Sequence, residues 1–155
     1  MNLRLFNQLA TTSLIVGTLD GMAASLHTYL KTGRSPEIVF RYVASGVFGA
    51  EAFTGGAGMI ALGLLFHYLI ATGWSVLYVF IHPYFKITGN RPWINGPLYG
   101  LYIWLMMQFL ILPMSNVRPI SPTVEGVVIG ILIHMIVIGL TLALVTHQYE
   151  KKSPG

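Results

Sequence analysis

The chain has 155 residues, of which 54% are hydrophobic and 9% are charged, against roughly one quarter charged residues in soluble domains. The net charge of +4 comes from scattered basic residues without a nucleic-acid-binding module, so it favours contact with a lipid bilayer over nucleic acid. The absence of cysteine excludes disulfides, thiolate metal sites and thiol nucleophiles. This composition predicts an all-α, four-span integral membrane protein that forms one domain over residues 1–155.

The first predicted span covers residues 9–30 and carries one acid, Asp20, near its middle. A carboxylate at that depth costs at least a few kcal/mol unless it is paired, neutralised or in contact with water. His27 lies two helical turns further along the same face. Beside this face runs a stripe of small residues: Gly17, Gly21 and Ser25. Such a stripe is typical of a helix that packs closely against another helix.

A shorter amphipathic helix is predicted over residues 36–48. Ser35 and Pro36 form a helix-start signal, with the hydroxyl as cap and the proline at the first helical position. Glu37 and Arg41 have the spacing of an i, i+4 ion pair. The pattern favours a helix at the membrane interface, and the glycine-rich stretch after it favours a connector that returns the chain to the membrane.

The remaining spans are predicted over residues 57–81, 92–112 and 123–146. The second contains one central ionisable residue, His67, and the fourth likewise contains His134. Gln108 is the strong hydrogen-bonding side chain deep in the third span, and we expect it to link helices. The fourth span also contains a G-x-x-x-G motif, formed by Gly126 and Gly130, which predicts helix packing.

Three ionisable side chains are predicted to lie at the same depth. At about 1.5 Å of rise per residue, Asp20, His67 and His134 lie roughly mid-bilayer on three separate helices, with His27 nearer the surface. Such a cluster could handle protons, hold a divalent metal, or provide two histidines for a haem. The structural alternative is that these groups pair with one another or with backbone carbonyls and fix the helix register.

Catalysis has little support in the sequence, because no serine lies in a nucleophile-elbow context and no carboxylate pair lies on one helix. The leading hypothesis is therefore a non-enzymatic membrane protein with an Asp/His centre for protons or a small ligand, and no resident cofactor is predicted. One alternative is an accessory or scaffold subunit, whose glycine stripes contact a membrane-complex partner or a second copy of the chain. The other is a haem- or metal-binding electron carrier.

The distribution of basic residues bears on orientation, because four spans place both termini on one side. Five flanking basic residues fall on that side and four on the other. The first group is Arg4, Lys86, Arg91, Lys151 and Lys152, and the second is Lys31, Arg34, Arg41 and Arg118. The positive-inside rule thus leans towards cytoplasmic termini.

Three stretches also carry a resemblance to a known group. They are GTLDGMAAS at 17–25, GRSPEIVFRYVASGVFGAEAFTGGAGMIALGLLFHYLIA from residue 33, and the start of the fourth span after LPMSN. Their distinctive pieces are Asp20, the Gly-Arg-Ser-Pro run, Gly55-Gly56 and His67. Together they resemble small uncharacterised bacterial inner-membrane proteins and, more distantly, the YagU type. The resemblance implies a four-helix protein of the bacterial inner membrane and brings no catalytic residue with it.

Overall fold

The structure is a computed structural model that describes residues 3–84, 91–118 and 123–151. Every regular element within those ranges is helical. The first half contains α1 (Leu3–Thr32), α2 (Glu37–Phe48), α3 (Glu51–Thr54) and α4 (Ala57–Ile81). The third span consists of α5 (Pro92–Met106), a π-helical segment (Met107–Ile111) and α6 (Leu112–Met114). The fourth consists of α7 (Val124–Leu132), a π-helical segment (Ile133–Leu140) and α8 (Thr141–Lys151).

Four helices are long and apolar enough to cross a membrane. They cover Leu3–Thr32, Ala57–Tyr84, Pro92–Met114 and Val124–Lys151. Each presents large apolar side chains outwards; examples are Leu14, Leu69, Phe109 and Ile136, which are between 55% and 73% exposed. Apolar surface on this scale suits contact with lipid rather than water. The predicted set of four long apolar helices is confirmed, and the helices extend past the predicted spans at most ends.

Local signals fix several helix ends. Gly33 follows α1 with a φ of +68°, and its N–H donates to the Tyr29 carbonyl (2.8 Å), as in a glycine C-cap. The Thr123 hydroxyl accepts a hydrogen bond from the Gly126 N–H (3.1 Å) and caps α7. Pro92 occupies the first turn of α5, where no amide hydrogen is needed.

A helix occupies the predicted position between the first two spans, but its local contacts differ from those expected. It begins at Glu37, and Ser35 contributes its backbone carbonyl to the first turn rather than a hydroxyl cap. The predicted ion pair between Glu37 and Arg41 is wrong, because Arg41 donates instead to the Ala52 and Gly55 carbonyls. These two carbonyls lie in the last turn of α3 and just after it. Carbonyls at the end of a helix have no partner within the helix, and here the guanidinium satisfies them. Placement of α2 at a membrane interface stays a prediction.

The packing of α2 against α4 brings the first connection close to the middle of the second span. A Cβ atom at Gly63 would collide with the Phe40 carbonyl, so only glycine permits this approach. Phe48 stacks on Phe66 with ring centroids 6.2 Å apart, and the Phe40 ring meets His67 edge-on at 5.9 Å. As a result, α2 covers one side of the His67 ring.

The third and fourth spans cross with their backbones in contact. A Cβ at Gly100 would collide with the His134 carbonyl, and one at Gly139 would collide with the Gly96 carbonyl. Gly96 and Gly100 form a second G-x-x-x-G motif, in addition to Gly126 and Gly130. This crossing fixes the backbone at His134. The crossing lies next to an apolar core, and the fully buried residues of that core include Val16, Tyr78, Tyr99, Ile103 and Leu142.

Candidate functional site

Asp20 lies where α1 packs against α4 and against the π-helical segment of the fourth span. It lines two spaces inside the bundle. One is a small cavity of about 50 Å³, named here the central cavity. The other is an open space of about 620 Å³, named here the cleft, which lies between α1, α2 and the fourth span. Asp20 therefore faces spaces inside the bundle and not lipid alone.

The central cavity brings together the three ionisable residues that were predicted to lie level. Asp20, His67 and His134 all contribute to its wall, each from a different helix. The rest of the wall is apolar or aromatic and includes Val16, Ile70, Trp74, Ile103, Met107 and Ile138. His27 does not reach this cavity and lines the cleft instead. The structure thus places three of the four predicted residues around one cavity.

His67 is held by a hydrogen bond to the backbone of α1. Its Nε2 lies 2.7 Å from the Gly17 carbonyl oxygen, and because a carbonyl only accepts, Nε2 carries the hydrogen. Glycine at position 21 favours this approach, since a Cβ there would lie 3.3 Å from the same nitrogen, a tight contact. The ring also meets Tyr68 edge-on, with centroids 5.7 Å apart. In the neutral ring the other nitrogen, Nδ1, is an acceptor.

His134 is held in the same manner by its own helix. Its Nδ1 donates to the Gly130 carbonyl oxygen at 2.8 Å, so the neutral ring presents Nε2 as an acceptor. The residue is the second of the π-helical segment Ile133–Leu140, a widened turn of a kind often found at functional sites. Both imidazoles thus direct their N–H to backbone carbonyls.

The Asp20 carboxylate receives no hydrogen bond from any residue in the described ranges. An ionised carboxylate is an acceptor only. Together with one ring nitrogen from each of His67 and His134, it gives a centre with acceptors from three side chains, and these three side chains form no hydrogen bond with one another. Such a centre is complementary to a proton, or to a ligand that donates hydrogen bonds.

The cleft leads away from the centre towards the end of the bundle that holds the first connection. Its polar lining comes from α1, α2, the third span and the first connection: His27, Thr28, Thr32, Arg34, Tyr42 and Gln108. At its open end the Lys31 ammonium lies 3.5 Å from Glu125 and donates to the Thr123 hydroxyl (3.2 Å). This cross-link joins α1 to the start of the fourth span.

The small residues predicted to pack helices have different surroundings. A Cβ at Gly17 would lie 2.8 Å from the Tyr68 ring, and Ser25 lines an apolar groove beside it. Gly126 and Gly130 line the cleft; a Cβ at Gly130 would lie 3.0 Å from the Trp104 indole nitrogen. The tightest backbone contacts are made instead by four other glycines: Gly63, Gly96, Gly100 and Gly139.

Metal binding and haem ligation are the other two uses predicted for the Asp/His cluster. Among the described residues, no three histidine or carboxylate side chains lie close enough to hold a metal ion. Axial ligation of a haem by His67 and His134 would need a space between them far larger than the central cavity of about 50 Å³.

Comparisons of the chain with protein-family models, with curated protein sequences and with solved structures give no match. The family suggested by the sequence therefore stays a proposal.

Proposed function

We propose that this chain is a multi-pass protein of the bacterial inner membrane that binds a proton at the centre formed by Asp20, His67 and His134. One observation carries the proposal. Both histidines give a ring N–H to a backbone carbonyl, at 2.7 Å and 2.8 Å, while lining the cavity that Asp20 also lines.

The hydrogen-bond inventory explains why a proton suits this centre. An ionised Asp20 and two neutral imidazoles would offer acceptors from three side chains that form no hydrogen bond with one another. A single added proton turns one acceptor into a donor and allows it to bond with a neighbour. Because the three groups share one cavity, their titrations are coupled and the proton belongs to the set.

Access supports the same function. The cleft connects Asp20 and His134 to the polar residues Thr28, Thr32 and Arg34 at one end of the bundle. In the opposite direction along the helices, the buried apolar side chains of Val16 and Ile138 border the central cavity. We propose that protons reach the centre through the cleft. The excess of basic residues by five to four supports cytoplasmic termini, which places the open end of the cleft on the opposite side.

The alternative of an accessory subunit has weaker support. Gly17 and Gly21, which would contact a partner helix in that account, instead approach Tyr68 and His67 of the same chain. For electron transfer, the described residues contain no group of three histidine or carboxylate side chains that could hold a metal ion. Neither alternative explains why two histidines and a carboxylate from three helices line one cavity.

Infrared difference spectroscopy of the protein in lipid nanodiscs tests the proposal. The four glutamates also give bands of protonated carboxyls as the pH falls, so the signal of Asp20 is the carbonyl band that wild type shows and Asp20→Asn lacks. The control, Glu51→Gln, should keep this band, because Glu51 is exposed and lines neither the cleft nor the central cavity. Identical carboxyl bands in wild type and Asp20→Asn at every pH would contradict a proton site at this centre.

A further inference from the structure

Several polar groups that line the cleft are unpaired within the described part of the chain. The Nε2 atom of His27 is buried without a hydrogen-bond partner. The Tyr42 hydroxyl, the Gln108 amide and the Arg34 guanidinium also make no side-chain hydrogen bond there. Buried polar groups in proteins are nearly always paired, so the unpaired His27 nitrogen is complementary to a polar ligand. Arg34 and Gln108 are exposed and Tyr42 is half-buried, and their donors are open to the same ligand.

The charges of the cleft indicate the sign of that ligand. Lys31, next to the open end, is already neutralised by Glu125 at 3.5 Å. Arg34 lines the cleft and forms no ion pair with a described residue. The guanidinium offers a fork of donors that matches a carboxylate or phosphate group. The open end therefore attracts an anion.

The remaining lining is apolar and of suitable size. Ile38, Val39 and Phe53 form one side of the cleft and Ile133 lies on the fourth span. The volume of about 620 Å³ falls within the roughly 300–1,000 Å³ of small-molecule sites. The ligand that fits has one anionic group and an apolar body.

We propose that the cleft binds a small amphipathic organic anion, with its acidic group at Arg34 and its body against Ile38, Val39 and Ile133, and that binding is coupled to the proton on Asp20. The coupling rests on the proposed function. An anion in the cleft and an ionised Asp20 repel each other, so a proton on Asp20 strengthens binding, and by linkage the anion strengthens proton uptake. The other titratable groups around Asp20 are His27 on α1, Tyr42 on α2, His67 on α4 and His134 on the fourth span.

The anion has two natural sources, a free organic acid or the headgroup of an anionic lipid. Both present an acidic group and an apolar body to Arg34. A lipid would enter from the bilayer with its phosphate at the open end, and a free acid would enter from water.

Calorimetric titration of the protein in phosphatidylcholine nanodiscs tests the site, with naphthalenesulfonate as the probe because it stays ionised at all working pH values. We expect binding above that of empty nanodiscs, and about tenfold weaker binding in Arg34→Gln. The matched control is Arg118→Gln, which removes an exposed cation between the third and fourth spans and should leave the affinity unchanged. Neutral naphthalenesulfonamide should bind no more tightly to the wild type than to Arg34→Gln.

The pH dependence tests the coupling separately. The affinity of the wild type should rise as the pH falls, and it should rise less steeply in Asp20→Asn. Equal pH dependence in the two proteins would overturn the coupling. Nanodiscs that contain phosphatidylglycerol identify the source of the anion. If this lipid weakens probe binding to the wild type but not to Arg34→Gln, the natural ligand is a lipid headgroup. If it does not weaken probe binding to the wild type, the natural ligand is a free acid. Equal binding by wild type and Arg34→Gln would overturn the anion site. The infrared band of Asp20 in Arg34→Gln would still report the proton centre on its own.

Discussion

The Nε2 atom of His67 lies 2.7 Å from the carbonyl oxygen of Gly17, three residues before Asp20 on α1. The bond joins the second span to the backbone of the first and fixes the orientation of the imidazole. Because the donor nitrogen is committed to a carbonyl, the proton chemistry of the ring is left to Nδ1. The same division of roles holds for His134, whose Nδ1 is committed to Gly130.

Replacement of both histidines should give non-additive effects on stability. His67→Ala removes a buried hydrogen bond and leaves a void, which we expect to cost about 2 kcal/mol or more. His134→Ala alters the wall of the same central cavity, so the double variant should differ from the sum by about 0.5–3 kcal/mol. Denaturant unfolding in detergent measures all three. The control pair, His67→Ala with His147→Ala, should be additive, and additive values for the first pair would argue against a shared site.

Gly100→Ala should destabilise the crossing of the third and fourth spans. A methyl group there would collide with the His134 carbonyl, and overpacking of this kind costs about 1–3 kcal/mol. Gly73→Ala is the matched control, because nothing lies within 4 Å of a Cβ at that position and alanine favours the helix by about 0.5–1 kcal/mol. The midpoint temperature of thermal unfolding should be lower than that of wild type in Gly100→Ala and higher in Gly73→Ala. A Gly100→Ala protein as stable as wild type would show that the two backbones are not in contact.

Arg41→Gln should loosen the connection between α2 and α4. The guanidinium donates to the Ala52 and Gly55 carbonyls at the end of α3, and hydrogen bonds that involve a charged group contribute about 1.5–3 kcal/mol. Hydrogen exchange over residues 49–56 should become faster in the variant. Arg118→Gln should leave this region unchanged, and equal exchange in both variants would remove Arg41 from its supporting role.

Burial raises the pKa of the Tyr42 phenol above its ordinary value of 10.0. The unfolded chain therefore releases this proton at lower pH than the folded protein does. The stability that depends on the neutral phenol is complete below pH 10.0 and is lost as the pH rises through the higher folded value. Between about pH 9 and about pH 11, the midpoint temperature of thermal unfolding should fall more steeply with pH in wild type than in Tyr42→Phe. Parallel curves would show that the phenol is not shielded.

Much of the architecture follows from length and hydropathy, because a backbone in lipid must satisfy its hydrogen bonds within helices. Helix rise also places Asp20, His67 and His134 at one level. Rotation of each helix about its own axis cannot be obtained from rise, so the sequence could not establish that the three side chains line one cavity. The two carbonyl partners of the histidines depend on packing against α1 and on a π-helical turn, neither of which has a distinct sequence signal.

The glycines illustrate a second limit. Gly96 and Gly100 carry the same G-x-x-x-G spacing as Gly126 and Gly130, yet the first pair meets a neighbouring backbone and the second pair lines the cleft. Pro97 lies within the first motif, and proline inside a helix usually indicates a kink or an end rather than a packing face. Spacing alone does not tell which face of a helix meets its neighbour.

The central claim is that Asp20, His67 and His134 form one protonatable centre. It is tested most directly by nitrogen NMR spectra of the ¹⁵N-labelled histidine rings, recorded against pH for wild type and Asp20→Asn in nanodiscs and assigned with single histidine variants. We predict that neutral His67 carries hydrogen on Nε2 and neutral His134 on Nδ1, and that the ring-nitrogen chemical shifts of both change when Asp20 becomes Asn. Ring-nitrogen shifts of His67 and His134 that are the same in both proteins would contradict the claim.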